Sequence, residues 1–167
     1  MVTLIKISAN NTHQPAMSSN DYDEVVKKFE YLDHTADIQL HSWGSTLEEA
    51  FEQSCMAMIN YMVPIDLVLP KKTVEVKVAG HDMESLLYKF LDEFLFEASS
   101  GEFFMSRQVK IQEMDRDKFE ITALGYGEDF DQERHGGRGT EVKAVTYSAM
   151  RIVEGEGKSE TFVVVDI

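Results

Sequence analysis

Cysteine is almost missing from this chain: Cys55 is the one thiol in 167 residues. A single thiol excludes an internal disulfide framework and a zinc site built on cysteines. It also suits a reducing compartment. Basic residues are scarce too. Sixteen lysines and arginines stand against 30 aspartates and glutamates, for a net charge of -14. That balance repels a phosphate backbone and argues against direct binding of RNA or DNA. It leaves cations, a basic protein partner or plain solubility as uses of the charge. Long apolar runs are missing as well, so no membrane span is expected. The opening MVTLIKISANNTHQPAMSSN carries no long apolar core of an export signal. A soluble intracellular protein is the expectation. The glycine-rich pieces Gly125-Tyr-Gly127 and Gly136-Gly-Arg-Gly139 lack the strand–loop–helix context of a nucleotide-binding turn.

What is present is a core. The hydrophobic fraction is 43%, enough for one globular domain of this length. Residues 1–26 read as a flexible N-terminal tail, being rich in Ser, Asn, Thr and Gln. Residues 27–167 read as the domain. Phe29–Leu32 and Ala36–Trp43 pattern as strands, with Ile38, Leu40 and Ser42 on one face and Asp37, Gln39 and His41 on the other. Thr46-Leu-Glu-Glu49 is a capping box that opens a helix over 47–62. Its Met56, Met58 and Met62 read as core rather than as a soft-metal face. Thr73–Val78 alternates strictly, and Asp82 caps a second helix over 83–98 with a wide apolar stripe. Val109–Met114 and Phe119–Leu124 form a hairpin, and 125–139 reads as loop. Glu141–Val153 reads as one strand with Val142, Ala144, Thr146 and Ser148 on one face. Thr161–Ile167 reads as a buried strand. The fold class expected is α+β: a mostly antiparallel sheet with two amphipathic helices packed on it, in a single domain.

The stretch YLDHTADIQLHSWG, residues 31–44, concentrates Asp33, His34, Asp37 and His41. Asp33 and Asp37 flank a turn and could meet at one hard cation, yet two carboxylates leave its oxygen shell incomplete. Asp33 as a turn cap and Asp37 facing solvent is the plainer alternative. The end of the sequence, Val163-Val-Val-Asp-Ile167, adds Asp166 beside a final carboxylate. If this strand pairs beside Ala36–His41, the acids cluster and repel unless a cation sits among them. A frayed end with exposed charges is the alternative. His34 between two aspartates could act as a general base, but no nucleophile partners it, and Cys55 falls inside a helix. His41, His81 and His135 read as isolated surface or turn residues, and Lys143 as an edge-strand cation.

Five blocks in order, YLDHTAD (31–37), TLEEAFEQ (46–53), LLYKFLDEFLFE (86–97), GTEVKAVTYSAM (139–150) and VVVDI (163–167), resemble the archease family in its eukaryotic form. The resemblance spans 29–167. It implies a non-enzymatic accessory factor of tRNA splicing, cytoplasmic or nuclear. Its partner would be the RtcB-type tRNA-splicing ligase, whose guanylylation and multiple turnover it promotes. It implies a divalent metal ion (calcium, magnesium or manganese) held by Asp37, Asp166 and Ile167, with Asp33, His34 and Lys143 near the site. Two other readings stay open: a metal-dependent hydrolase using His34 and the carboxylates, and a metal carrier or chaperone.

Overall fold

The computed structural model describes residues 24–137 and 139–167. The expected tail lies outside them up to residue 23. Its last residues are tied down, because Gln53 Nε2 on the first helix donates to the Val26 carbonyl at 3.0 Å.

Strands β1 (Phe29–His34) and β2 (Asp37–Gly44) form a hairpin whose register pairs His34 with Asp37. The two-residue turn needs a positive φ, which Ala36 supplies at 62°. Along β2 the period-two pattern is obeyed: Ile38, Leu40, Ser42 and Gly44 are buried and the residues between them are half-buried. Gly44 is required there. A Cβ on it would fall 2.5 Å from Glu49 Cβ, where the strand passes under the next helix.

That helix, α1 (Leu47–Met62), starts on Thr46, whose hydroxyl accepts from the Glu49 N–H. Glu49 reaches back one residue further than a standard capping box, to the Ser45 N–H at 2.7 Å. Burial of α1 is not one-sided. Leu47, Phe51, Cys55, Met58 and Met62 are buried, and so are Glu52, Gln53, Met56 and Ile59. A helix buried all round belongs in the interior, and α1 lies between two sheets rather than on the face of one. This corrects the single-sheet expectation and confirms Met56, Met58 and Met62 as core. Cys55 is fully buried, and burial pushes its thiol well above the ordinary range, which makes it inert.

The remaining elements are β3 (Lys72–Ala79), α2 (Met83–Ser99), β4 (Phe104–Asp115), β5 (Glu120–Asp129), α3 (Gln132–His135), β6 (Ala144–Val145), β7 (Arg151–Gly155) and β8 (Lys158–Asp166). The first sheet runs β1–β2–β8–β6, with β7 also on β8, and the second runs β3–β5–β4. Every strand pair is antiparallel, so the α+β class stands. Asp82 caps α2 as expected, accepting from the Ser85 N–H at 2.7 Å.

Two expected segments differ. The first part of the span 125–139 is not loop, because β5 continues through Gly125 and Gly127 to Asp129, and a short helix, α3, follows at Gln132–His135. A Cβ on Gly127 would sit 1.8 Å from the Met105 carbonyl oxygen, and one on Gly125 would meet Phe94 and Ser106. These glycines mark close packing beside a bulge in β4, between Ser106 and Gln108. Nor is Glu141–Val153 one strand. β6 and β7 lie along the same edge of β8, separated by a turn closed by Met150 N–H to the Tyr147 carbonyl at 3.2 Å. The buried residues there are Val142 and Val145, not the expected alternating set.

Candidate metal-binding tip

The register of the first sheet builds the site. β2 and β8 pair Ile38 with Val165, and both are buried against the core. The paired register ends there, and one residue beyond it on each strand come Asp37 and Asp166, whose side chains leave on the face opposite Ile38 and Val165. His34 pairs with Asp37 on one side, and Ala144 with Asp166 on the other. The ends of β2 and β8 thus bring His34, Asp37, Asp166 and Ala144 to one tip of the sheet. Neighbouring strands lie about 4.7–4.9 Å apart, near enough for two carboxylates at their ends to repel or to share a cation.

Asp33 does not join them. It pairs with Ile38, one row away, so its side chain belongs to the opposite face. Lys143 does reach the tip, although not from a strand. Its N–H donates to the Asp166 carbonyl at 2.8 Å, and its Nζ donates to the Ile167 main-chain oxygen at 3.0 Å. Asp166 is exposed, and Asp37 and Ile167 are half-buried. His34 Nδ1 is shielded from solvent and has no hydrogen-bond partner among the described residues.

Among the described residues, no three His, Cys, Asp or Glu side chains converge closely enough to hold a metal unaided. The oxygen atoms on offer at the tip are few: the carboxylates of Asp37 and Asp166 and the main-chain oxygen of Ile167. Oxygen donors of this kind fit a hard divalent ion, with the rest of the shell left to water or to a partner. The ammonium of Lys143 already balances part of the charge.

Two histidines read as isolated are built into networks. His135 is buried: its Nδ1 accepts from the Asp131 N–H at 3.0 Å, so its proton sits on Nε2, 3.2 Å from Glu128 Oε1. His41 has Glu30 at 2.7 Å on Nδ1 and Glu160 at 2.9 Å on Nε2, and it stacks on Phe162 with ring centroids 4.3 Å apart. Lys158 first, and then His41, hold the Glu160 carboxyl below its ordinary range. Sequence spacing gave no sign of either, since Glu128 follows a glycine and Glu160 lies 119 residues from His41. His81 is exposed, as expected.

Fold and site define a small α+β protein with a buried central helix and an acidic tip at one end of its first sheet. Comparison with known proteins then places it. The Archease protein family model matches residues 29–167, and the chain belongs to the archease family. Protein archease of Danio rerio is 54% identical over 146 residues, covering 87% of this chain and 89% of that one. The archease of Pyrococcus furiosus is 40% identical over 128 residues, covering 76% and 89%. The solution structure of Methanobacterium thermoautotrophicum protein 1598 superposes with a TM-score of 0.70 at 32% identity, covering 85% of this chain and all of that one. An archease from Thermotoga maritima, described as a possible chaperone, shares the fold at a TM-score of 0.57 and 18% identity. No helix among the described residues is long and apolar enough to cross a membrane.

Proposed function

We propose that this protein is a non-enzymatic accessory factor that promotes guanylylation and multiple turnover of an RtcB-type RNA ligase in tRNA splicing. Membership of the archease family supports the class. The observation that supports the mechanism is the pairing of Ile38 with Val165, which brings Asp37 and Asp166 to the adjoining ends of β2 and β8 beside Ile167. A divalent ion bound there would supply Lewis acidity at a site left open toward a partner. Asp37 and Asp166 would hold it by their carboxylates and Ile167 by its main-chain oxygen. Lys143 would position the last residue through its two bonds to the Asp166–Ile167 backbone. The net charge of -14 suits docking on a basic RNA-binding enzyme without competition for its RNA.

The hydrolase reading has less support. A general base needs a group that orients it and a nucleophile within reach. His34 Nδ1 has neither carboxylate nor carbonyl beside it among the described residues, and the Cys55 thiol is sealed in the core.

The test is a ligation time course with sub-stoichiometric ligase, GTP and divalent metal, run with and without this protein. Many turnovers per ligase are expected only in its presence. Asp37→Ala and Asp166→Ala should each abolish the gain while keeping a native circular dichroism spectrum. Folded variants that sustain full turnover would overturn the mechanism, and metal-dependent phosphoester turnover by the protein alone would favour the hydrolase.

A further inference from the structure

The turn that breaks the edge of β8 lifts Tyr147 out of the sheet and lays it on α2. Its ring stacks on Tyr88, with centroids 4.4 Å apart and planes 7° from parallel. Ala149 in the same turn takes a positive φ of 50°. Despite the stacking, Tyr147 remains 53% exposed. Phe96, two turns along α2 from Tyr88, is 54% exposed. Tyr88, Asp92 and Phe96 follow at four-residue spacing and so share one stripe of the helix. Partial burial, and then Tyr88, Asp82 and Asp92, push the Tyr147 hydroxyl up.

Glu93 and Glu97 run beside the stripe. Burial, followed by Glu97 and Asp92, pushes the Glu93 carboxyl above its ordinary range, and Lys89 opposes this. Among the described residues, Asp92, Glu93 and Glu97 make no ion pair. Other carboxylates in the domain do find cations, among them Glu49 with Lys28, Glu52 with Lys110, Asp129 with Lys72 and Glu154 with Arg116. Like charges one turn apart destabilise a helix, so a cation brought to this face relieves a repulsion already present. The aromatic rings beside it offer flat faces to a guanidinium, which stacks on them and bonds carboxylates in the same plane. Phosphate-bearing partners, whether RNA or an anionic lipid surface, are repelled by the same carboxylates.

We propose that the α2 face made by Tyr88, Asp92, Phe96 and Tyr147, with Glu93 and Glu97 beside it, docks an arginine-bearing basic segment of a partner protein. The residues of this surface are distinct from those of the Asp37–Asp166 tip, and the inference does not rest on the metal reading.

The probe is a nona-arginine peptide, titrated into the ¹⁵N-labelled chain at moderate salt and followed by amide shifts and calorimetry. The largest shifts are expected over residues 88–97 and at Tyr147. Asp92→Asn with Glu93→Gln and Glu97→Gln should weaken binding roughly 10-fold, the scale of one to two charge-assisted contacts. Phe96→Ala with Tyr147→Ala should weaken it several-fold, and nona-lysine should bind less tightly than nona-arginine. The charge-matched control Asp117→Asn, Glu133→Gln, Glu156→Gln removes three exposed carboxylates outside the face and should change affinity less than about 2-fold. Asp37→Asn should leave the titration unchanged, so a failed ligase test and a failed docking test are separable. Shifts centred away from α2 and Tyr147 would overturn the proposal. So would a control variant that loses as much affinity as the face variant. The wild-type shift map needs no substitution, so a misfolded variant cannot hide the answer.

Discussion

Replacing Glu128 with alanine should cost more than any other single carboxylate change in this domain. The Glu128 side chain is 5% exposed at the end of β5. It accepts from the Leu69 N–H at 2.7 Å, Lys71 Nζ at 3.0 Å, Arg134 Nη2 at 2.5 Å and His135 Nε2 at 3.2 Å. One carboxylate thus pins α3 and the segment before β3 to the second sheet. In Glu128→Ala the cations of Lys71 and Arg134 turn to water, since both side chains are partly exposed. The Leu69 N–H and His135 Nε2–H cannot, because both residues are buried. Two stranded donors at roughly 1–2 kcal/mol each give a loss of about 3 kcal/mol. For a domain of this size that lowers Tm by about 6–12 °C. Glu128→Gln keeps one acceptor for Leu69 and should cost about half as much.

Urea unfolding at pH 7 reads both values. A loss under about 0.5 kcal/mol in the alanine variant would refute the account. The pH dependence gives a second check with a definite sign. Burial works to raise the Glu128 carboxyl, yet Arg134, the Leu69 N–H, Lys71 and His135 outweigh it and hold it below its ordinary range. A folded value below the unfolded one means the stabilisation is complete above the unfolded value of about 4.3. It is lost as pH falls through the lowered folded value. The gap between the wild type and Glu128→Gln should therefore be flat from pH 7 to about 5 and close below about 4.

Three further changes probe other levels of the argument. Gly127→Ala drives a Cβ into the Met105 carbonyl and should cost about 3 kcal/mol or more in urea unfolding; a neutral result would mean the β4–β5 bulge yields freely. Asp37→Asn removes one of two carboxylates at adjoining strand ends, so in chelator it should leave stability unchanged or raise it by about 0.5 kcal/mol. With divalent metal at about 100 times its Kd the wild type should gain about 2.7 kcal/mol and overtake the variant; equal thermal shifts in both proteins would remove Asp37 from the metal site. Ala36→Gly relieves a side chain at φ 62° and should gain up to about 1 kcal/mol, whereas Ala36→Val should lose about 1–2 kcal/mol by the same steric rule; the reverse order would show that the hairpin turn is not what sets the register.

The helices and most strands were legible because each carries its own period and its own start signal. Thr46, Asp82 and the alternation of Ile38 and Leu40 are local facts, and local facts survive folding. Position in the fold was harder. The sequence predicts an amphipathic α1 packed on one sheet, and nothing in it marks Glu52 and Gln53 as interior. In the structure Glu52 is buried and accepts from the Ile111 N–H and Lys110, while Gln53 bonds the backbone on both sides of Lys27. A buried polar side chain that satisfies backbone groups has no signature in hydropathy. The same holds for Gly125 and Gly127, where glycine means contact with a neighbouring strand and not a turn. The network of Glu128, Arg134 and His135 was missed for a related reason. Its members come from a strand end and a four-residue helix inside a segment dismissed as loop.

The candidate tip shows where sequence reasoning stops and register begins. Asp37 and Asp166 are 129 residues apart, and nothing local links them. What links them is parity: Ile38 and Val165 must both face the core, which forces the residues beside them onto the other face together. Asp33, only four residues from Asp37, is excluded by that parity, since a two-residue turn pairs it with Ile38 and sends it to the opposite side. Proximity in sequence therefore does not bring Asp33 to the side of Asp37, whereas pairing across the sheet brings the strand end that carries Asp166 beside it. A one-residue slip of β2 against β8 would bury Asp37 and expose Ile38. The apolar alternation that stabilises the core is thus also what turns both carboxylates to the same face at the adjoining strand ends.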